Sequence, residues 1–281
     1  MDRTDVDVLM AQRTSSTAAP PAVAGASTLI RVSRLDKTYP GRSGQVHALA
    51  DVSFDVHTNE FISIVGPSGC GKSTLLKIVA GLLPYSRGEV RIGERAVANP
   101  HPDTGLVFQA PVLLPWRTVL QNVLLPIEIA RLPQRRFLDR AQSLLELVGL
   151  AGFEDRYPFE LSGGMQQRAA IVRALVHDPK VLLMDEPFGA LDAMTREQMN
   201  VETLRIWQAS RKTILFVTHS ISEAVYLSDR VLVMTPRPGR LAAIIDIDLP
   251  RPRDLDVINT DAFGRHASRI RELLNAKGDL S

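Results

Sequence analysis

The sequence predicts an α/β fold in which buried strands alternate with helices, interrupted by a mainly helical insertion. A glycine-rich loop at 66–71 lies between an apolar run, Phe61–Val65, and a helical pattern that begins at Lys72. Two further apolar runs, Val181–Met184 and Thr213–Val217, have the length and composition of buried parallel strands. A strand, a glycine loop and a helix in succession form a phosphate-binding α/β unit. The 281 residues suffice for one large domain with an inserted subdomain.

The composition limits the kinds of partner. The chain has 33 basic and 31 acidic residues, a net charge of +2, and no concentrated basic block, so we expect no nucleic-acid partner. The single cysteine, Cys70, excludes an intrachain disulfide and is typical of a reducing compartment. No stretch approaches the roughly 18 apolar residues that cross a bilayer, and the acidic N-terminus is unlike a secretory signal. Any work at a membrane would therefore need another subunit.

The first elements in chain order are a tail and three strands. Residues 1–28 are rich in Ser, Thr, Ala and Pro without periodicity, so we expect a disordered tail. Strands are predicted at Leu29–Val32 and Val52–Val56. Asn59 tolerates a left-handed backbone, which indicates a hairpin turn from the second of these strands into Phe61–Val65.

The middle of the chain is predicted to be helical. The glycine loop leads into a helix from Lys72 to about Ala80. Residues 111–165 form the predicted helical subdomain, where apolar side chains recur at helical spacing from Phe137 to Val148. Gly149 then ends that helix.

The last third returns to alternating strands and helices. Ser220 and Glu223 have the spacing of a capping box at the start of a helix. We expect the main domain to cover 29–250 and a C-terminal tail with one short helix to cover 251–281. The remaining predicted elements are two strands and that helix: Val231–Met234, Leu241–Ile247 and Ala262–Ala276.

The glycine loop carries the strongest local motif, G-x-x-x-x-G-K-[ST]. In this pattern backbone N–H groups and a helix N-terminus surround phosphate oxygens, Lys72 reaches the β- and γ-phosphates and Ser73 ligates Mg²⁺. The motif predicts nucleotide phosphates and Mg²⁺ as ligands, and a chance glycine-rich turn is disfavoured by the flanking strand and helix. Cys70 is expected to be a small filler. The predicted phosphate-loop residues are Gly66, Pro67, Ser68, Gly69, Cys70, Gly71, Lys72, Ser73 and Thr74.

Two carboxylates follow the buried run at 181–184. Asp185 and Glu186 would lie at the carboxyl edge of the sheet, where open α/β sheets bind ligands. Asp185 is predicted to hold Mg²⁺, and Glu186 to orient or deprotonate the attacking water. Taken alone, an acidic pair at a strand end is more often a helix cap or a solvated turn, but together with the phosphate loop it indicates a Walker B strand.

A third motif separates the many nucleotide-binding classes that remain, which include GTPases, kinases and helicases. Leu161–Arg168 reads LSGGMQQR and resembles the signature sequence of the ABC ATPase family. Physically it is another helix N-terminus that lacks a lysine, and in isolation it could be only a helix start. The resemblance implies that it closes over ATP held by the other subunit of a head-to-tail dimer. The residues carried over for this role are Ser162, Gly163, Gly164 and Gln166.

Four more positions match the family. Gln109 corresponds to the Q-loop residue, which contacts Mg²⁺ or water and joins the helical insertion. Asp192 corresponds to the D-loop, and His219 to the switch histidine at the γ-phosphate. Tyr39 is identified as the aromatic residue that stacks on adenine, although an aromatic residue before a Pro-Gly turn is often only packing. The resemblance therefore implies that Glu186, His219, Gln109 and Lys72 are the catalytic residues, and that Ser73, Asp185 and Gln109 hold the metal.

The resemblance covers about residues 29–250. Two stretches, 109–117 and 228–240, are similar to the importer ATPases for nitrate, sulfonate and taurine. The sequence departs from the family pattern at Asn59, where Gly is usual, and at Ser220, where Asp is usual. Both replacements suit the expected turn and helix cap.

The resemblance implies a P-loop NTPase of the ABC ATPase type, with a RecA-like α/β core, an antiparallel β subdomain and an α-helical subdomain. It implies an ATP-hydrolysing importer subunit that forms a homodimer, or pairs with a close relative, beneath two transmembrane permease subunits. A periplasmic or lipid-anchored solute-binding protein would deliver a small solute. The chain would be peripheral, at the cytoplasmic face of the bacterial inner membrane, contacting it through the permease. Alternatives are an ABC exporter or lipid-extraction ATPase, a soluble ABC ATPase, and a P-loop kinase, which the signature disfavours.

Overall fold

The computed structural model describes residues 27–41 and 44–275. Most of the predicted N-terminal tail, residues 1–26, lies outside the described residues. The first strand, β1, begins at Thr28, one residue before the predicted start. Within the described ranges, no helix is both long enough and apolar enough to cross a membrane.

An antiparallel sheet forms one layer. Its strands are β1 (Thr28–Gly41), β2 (Gly44–His57), β4 (Arg87–Ile92) and β5 (Arg95–Ala96), in the order β2-β1-β4-β5. The β1–β2 hairpin pairs Thr28 with His57 at one end and Gly41 with Gly44 at the other. This sheet is the antiparallel β subdomain that the family resemblance implied.

The predicted hairpin between Val52–Val56 and Phe61–Val65 is wrong. Asn59 does adopt a left-handed backbone, with φ of 62°. However, β2 stays in the antiparallel sheet, while β3 (Phe61–Val65) enters the second sheet. Since all five residues of β3 are buried, it belongs at the centre of a covered sheet and not beside a half-exposed strand.

The second sheet has six strands and is mainly parallel. After β3 it contains β6 (Thr104–Val107), β7 (Val181–Asp185), β8 (Thr213–Val217), β9 (Arg230–Met234) and β10 (Leu241–Asp246). The order is β10-β9-β3-β8-β7-β6, and only β10 runs antiparallel to its neighbour. The carboxyl ends of β3, β6, β7 and β8 therefore meet at one edge.

Helices cover this sheet. They are α1 (Lys72–Val79), α5 (Gly163–Leu175), α6 (Ala193–Ser210) and α7 (Ile221–Leu227). The expected capping box of α7 is only half formed. Ser220 Oγ accepts from the Glu223 N–H at 3.3 Å, but the Glu223 carboxylate accepts from the Thr218 hydroxyl. The Ser220 N–H donates to Thr218 Oγ1 instead.

The predicted helical subdomain contains three short helices between β6 and α5. They are α2 (Val119–Val123), α3 (Leu125–Ile129) and α4 (Leu138–Leu147). Val123, Ile127, Ala141 and Leu145 are fully buried and join the same apolar cluster as α5 and the parallel sheet. The insertion is therefore packed onto the core through α5, the helix whose N-terminal turns carry the signature sequence.

The segment after residue 250 packs onto the domain. Its helix, α8 (Asp261–Asn275), buries Phe263 and Ile270 in the main apolar cluster. The buried guanidinium of Arg253 donates to the carbonyls of five residues: Val225, Tyr226, Ser228, Ile247 and Leu249. Burial lowers the pKa of Arg253 to about 10. Residues 251–275 are thus integrated into the fold, in contrast to the tail expected from the sequence.

Candidate nucleotide-binding and hydrolysis site

The glycine loop between β3 and α1 has a backbone that glycine alone accommodates. Gly71 caps the N-terminus of α1 with φ of 106°. A Cβ at this position would lie 2.7 Å from Leu49 Cδ2 and 3.0 Å from the Ala48 carbonyl oxygen. The loop thus packs closely on β2 and leads directly into the N-terminus of α1, which is a favourable site for an anion.

The Lys72 side chain lies across this loop. It is 6% exposed, and its Nζ donates to the carbonyl oxygens of Gly66 at 2.9 Å and Pro67 at 3.2 Å. Cys70 points inward and is buried, and loss of hydration raises the pKa of its thiol. The loop therefore offers backbone N–H groups and one cation, while Cys70 fills space as predicted from its size.

Two oxygen donors meet between α1 and the end of β7. Ser73 Oγ donates to Asp185 Oδ1 at 2.8 Å. Burial raises the pKa of Asp185, and the Ser73 hydrogen bond and the charges of Lys77 and Lys72 oppose that shift. A hydroxyl beside a carboxylate, next to a phosphate loop, fits the oxygen preference of Mg²⁺.

Glu186, Gln109 and His219 converge around Gly189. Glu186 follows β7 with φ of 45°, and its Oε2 lies 3.4 Å from His219 Nδ1. A Cβ built on Gly189 would lie 3.5 Å from Gln109 Nε2 and 3.7 Å from His219 Cε1. The three side chains come from the ends of β6, β7 and β8, so the parallel register places them at one edge.

Tyr39 of β1 lines the same cleft as the glycine loop. Its hydroxyl lies 3.5 Å from Thr74 Oγ1, and Lys37 Nζ lies 4.7 Å from the centre of its ring. Lys37 covers one face of the ring, which leaves the other for stacking. A cleft of about 280 Å³ is lined by Tyr39, Val46, Ala48, Ser68, Gly69, Gly71, Lys72, Ser73, Thr74, Glu186 and Arg237.

The signature residues lie outside that cleft. Ser162 caps α5, with its Oγ accepting from the Met165 N–H at 3.3 Å, and both Ser162 and Gly163 are exposed. Gly164 packs closely on α6, where a Cβ would lie 2.9 Å from Thr195 Cγ2. The chain therefore presents a second helix N-terminus to solvent, away from its own phosphate loop.

Two other predicted ligand residues have contacts within the chain. The Gln166 amide donates to the carbonyls of Pro158 at 2.9 Å and Leu161 at 3.2 Å. Asp192 caps α6, accepting from the Thr195 N–H and hydroxyl, and these bonds lower the pKa of Asp192. Both residues shape the exposed turns next to Ser162, and their contact with a nucleotide stays a prediction.

The Ala110–Trp116 segment follows Gln109 and is exposed but firmly held. Arg173 of α5 donates to the carbonyls of Val112 at 2.6 Å and Pro111 at 2.7 Å. The buried Asn122 amide accepts from the Leu114 N–H and donates back to the Leu114 carbonyl. Val112 is 57% exposed and Trp116 is 70% exposed, so this rigid segment presents apolar surface to solvent.

Comparison with known proteins gives a consistent set of relatives. A family model described as ABC transporter matches residues 49–189. The chain is 49% identical to a taurine import ATP-binding protein of Rhizobium johnstonii over 258 residues, 90% of this chain and 98% of that protein. It is 43% identical to an aliphatic sulfonates import ATP-binding protein of Bacillus cereus over 234 residues, 83% of this chain and 91% of that one.

Solved structures agree with the fold. A dimeric bacterial ABC transporter cassette superposes with a TM-score of 0.69 at 33% identity, covering 78% of this chain and 99% of that one. A dimeric cassette in a post-hydrolysis state, bound to ADP and Pi, gives a TM-score of 0.67 at 31% identity with the same coverage.

Proposed function

Because the chain belongs to the ABC transporter family and is an ATP-hydrolysing subunit of that family, we propose that it powers import of a small sulfonate-like solute. The names of the taurine and aliphatic sulfonate relatives support this direction and this solute class. A separate permease would carry the solute. The chain would then sit at the cytoplasmic face of the membrane through its contact with that permease, and a solute-binding protein would deliver the solute from the other side.

The cleft supports a defined role for each side chain at the phosphates. The N–H groups of the glycine loop and Lys72 would bind the β- and γ-phosphates, and Tyr39 would stack on adenine. Ser73 and Asp185, with Gln109, would hold Mg²⁺, which supplies neutralisation of the charge on the phosphate oxygens. Glu186 would accept a proton from the attacking water, and His219, 3.4 Å from it, would contact the γ-phosphate and keep that carboxylate in place.

A complete hydrolysis site would need two chains. Ser162 and the N-terminus of α5 are exposed and do not line the cleft that contains Lys72. A second copy in head-to-tail arrangement would place its Ser162 over the γ-phosphate held by the first. The dimeric form of the related cassettes supports this assembly. By two-fold symmetry, the single interface would contain two equivalent sites and enclose two ATP molecules.

The Ala110–Trp116 segment is the proposed permease contact. Arg173 ties this segment to α5, and Gln167 of the same helix donates to the carbonyl oxygen of Phe108, just before the segment, at 3.4 Å. Helix α5 starts at Ser162, which would bind the ATP of the other copy. Closing of the dimer on ATP would therefore move Ser162, α5 and the apolar segment together, and the segment would transmit that motion to the permease.

Uptake by the reconstituted transporter tests this proposal. The chain, its permease and the solute-binding protein are placed in vesicles with ATP on the cytoplasmic side. We expect ATP-dependent accumulation of labelled taurine or a short alkanesulfonate by the parent and none with Glu186→Gln. Export of solute from preloaded vesicles, or ATP hydrolysis that no permease stimulates, would contradict the proposal.

A further inference from the structure

The turn between β9 and β10, Thr235–Arg240, is fastened to β2. At its base the Thr235 N–H donates to the Arg240 carbonyl at 2.9 Å, and the Arg240 N–H donates to Thr235 Oγ1 at 3.0 Å. At its far end the Gly239 N–H donates to the Ala48 carbonyl at 2.9 Å, and the Ala50 N–H donates to the Gly239 carbonyl at 3.0 Å. The turn is therefore held in one position relative to the nucleotide cleft, since Ala48 lines that cleft.

The same turn presses directly on the glycine loop. A Cβ on Gly239 would lie 2.0 Å from the Cys70 carbonyl oxygen and 2.9 Å from Met234 Cε. No other residue fits there without moving the loop. The Arg-Pro-Gly sequence at 237–239 thus has a physical reason for its glycine.

Arg237 extends from this turn over the loop. Its Nε and Nη2 donate to the Gly69 carbonyl oxygen at 3.2 and 3.1 Å. Its side chain lines the same cleft as Lys72 and Tyr39. Among the described residues, Arg237 has no carboxylate partner, and its Nη1 has no hydrogen-bond acceptor. Arg237 therefore presents a positive charge and N–H groups, without an acceptor in the described ranges, to the nucleotide cleft.

The electrostatics of the loop explain what this cation can do. A loop that directs its N–H groups at an anion turns its carbonyl oxygens elsewhere, and those oxygens need cations or donors. Lys72 covers the carbonyls of Gly66 and Pro67, and Arg237 covers that of Gly69. The planar fork of an arginine can bind a carbonyl on one edge and a phosphate on another, which a lysine ammonium does less well.

We propose that Arg237 is an additional nucleotide-binding residue, which contacts the phosphate groups of ATP from the β9–β10 turn while it holds the Gly69 carbonyl. This assigns a function to residues 237–239, which lie within the importer-like stretch at 228–240. It deepens the ATP-binding part of the proposed function and does not depend on the solute.

The test measures nucleotide affinity in the full chain. Equilibrium binding of ATP, ADP and adenosine is compared for the parent, Arg237→Gln and Arg237→Ala, at low and high salt. We expect ATP and ADP to bind about tenfold more weakly in both variants, the size of one charge-assisted hydrogen bond. Adenosine should change by less than about twofold, and the salt dependence of ATP binding should become shallower.

Arg240→Ala is the matched control, because Arg240 belongs to the same turn but lines a separate cleft with Arg34 and Arg87. It should bind ATP like the parent. Arg237→Lys keeps the charge and loses the fork, so it should retain part of the affinity and most of the salt dependence. Thermal midpoints show whether the loop stays folded in each variant.

Three results would overturn the inference. They are parent-like ATP affinity in Arg237→Gln, an equal loss for adenosine and ATP, and a loss of ATP affinity with unchanged salt dependence. The last would make Arg237 only a support for the loop. A parent that binds ATP but moves no solute would instead contradict the transport proposal and leave this inference standing.

Discussion

The Ser73 hydroxyl donates a 2.8 Å hydrogen bond to Asp185 Oδ1 and so joins the first turn of α1 to the carboxyl end of β7. The two residues are 112 positions apart in the sequence. Their contact brings the proposed metal ligands together beside Lys72. It also explains why the acidic pair, which is ambiguous alone, becomes specific in combination with the glycine loop.

Asp185→Asn tests the proposed metal role. The asparagine keeps the shape and an acceptor for Ser73 but removes the negative charge. We expect Mg²⁺ to lose most of its effect on ATP affinity and hydrolysis to fall by about 10² or more. Because burial raises the pKa of Asp185, the neutral side chain should be tolerated and the thermal midpoint should not fall. Parent-like dependence of ATP affinity on Mg²⁺ would remove Asp185 from the metal site.

Glu186→Gln tests the proposed general base. The glutamine retains the size of the side chain and its position near His219, but it cannot accept the proton from water. ATP binding should persist, while turnover falls by roughly 10²–10⁴. The variant should also accumulate as an ATP-bound dimer, which size-exclusion chromatography with and without ATP would detect. Near-normal steady-state hydrolysis would rule out the role assigned to Glu186.

Trp116→Ser tests the proposed permease contact. Trp116 is 70% exposed, so its replacement should cost the isolated chain little stability and leave basal ATP hydrolysis unchanged. Stimulation of hydrolysis by the permease and solute uptake should both be lost. Ile244→Ser, at a 40% exposed apolar position on β10, is the matched control and should retain both. Equal behaviour of the two variants would show that the Ala110–Trp116 segment is not the coupling surface.

His177 predicts a pH dependence of stability. Burial lowers its pKa, assisted by Arg140, while the Thr104 carbonyl and the carboxylates of Asp178 and Asp103 oppose the shift. The folded chain therefore favours neutral imidazole. Its contribution to stability is complete above the unfolded-state pKa, near 6.5, and is lost as pH falls through the lower folded-state pKa.

We expect the thermal midpoint of the parent to fall more steeply than that of His177→Gln between about pH 6.5 and 5. The glutamine amide can still donate to the Thr104 carbonyl but does not titrate. The pH dependence that comes from all other ionisable groups is then the same in both proteins and cancels in the comparison. Parallel melting curves for the two proteins across this range would contradict the burial argument.

The fold was predictable where signals are local. The apolar run at 61–65 and that at 213–217 match β3 and β8 at both ends, because a strand buried on both faces needs continuous apolar residues. Strand β4 was not predicted, since its pattern, Arg87–Ile92, is half exposed and polar. The predicted pairing of β2 with β3 was wrong. A tight turn at Asn59 is compatible with a hairpin and equally with a next strand that joins another sheet, so the local sequence does not distinguish the two.

The site was predictable in its motifs and less so in its long-range contacts. Spacing identified the glycine loop and the two carboxylates at the carboxyl end of β7, Asp185 and Glu186. The approach of Arg237 to Gly69 depends on the β9–β10 turn packing against β2, which no local pattern reports. In the same way, Arg253 looks like an ordinary charged residue after the last strand. Its burial among carbonyls is visible only once α7 and β10 are placed.

The central claim is that each ATP is hydrolysed between Lys72 of one copy and Ser162 of another. Lys72→Ala and Ser162→Arg should each abolish hydrolysis when prepared alone, because each homodimer carries the defect in both sites. Thermal midpoints and, for Ser162→Arg, ATP binding to the monomer serve as folding controls, since Ser162 also caps α5.

The most direct measurement is the ATPase rate of these two inactive variants after they are mixed and allowed to exchange subunits. In a head-to-tail dimer, a mixed pair combines both defects in one site and leaves the other site with an intact Lys72 and an intact Ser162. We predict that hydrolysis reappears in the mixture and rises with the fraction of mixed dimers. If each chain instead completed its own site, no pairing of these variants could restore activity, and a mixture that stays inactive despite verified subunit exchange would contradict the shared-site account.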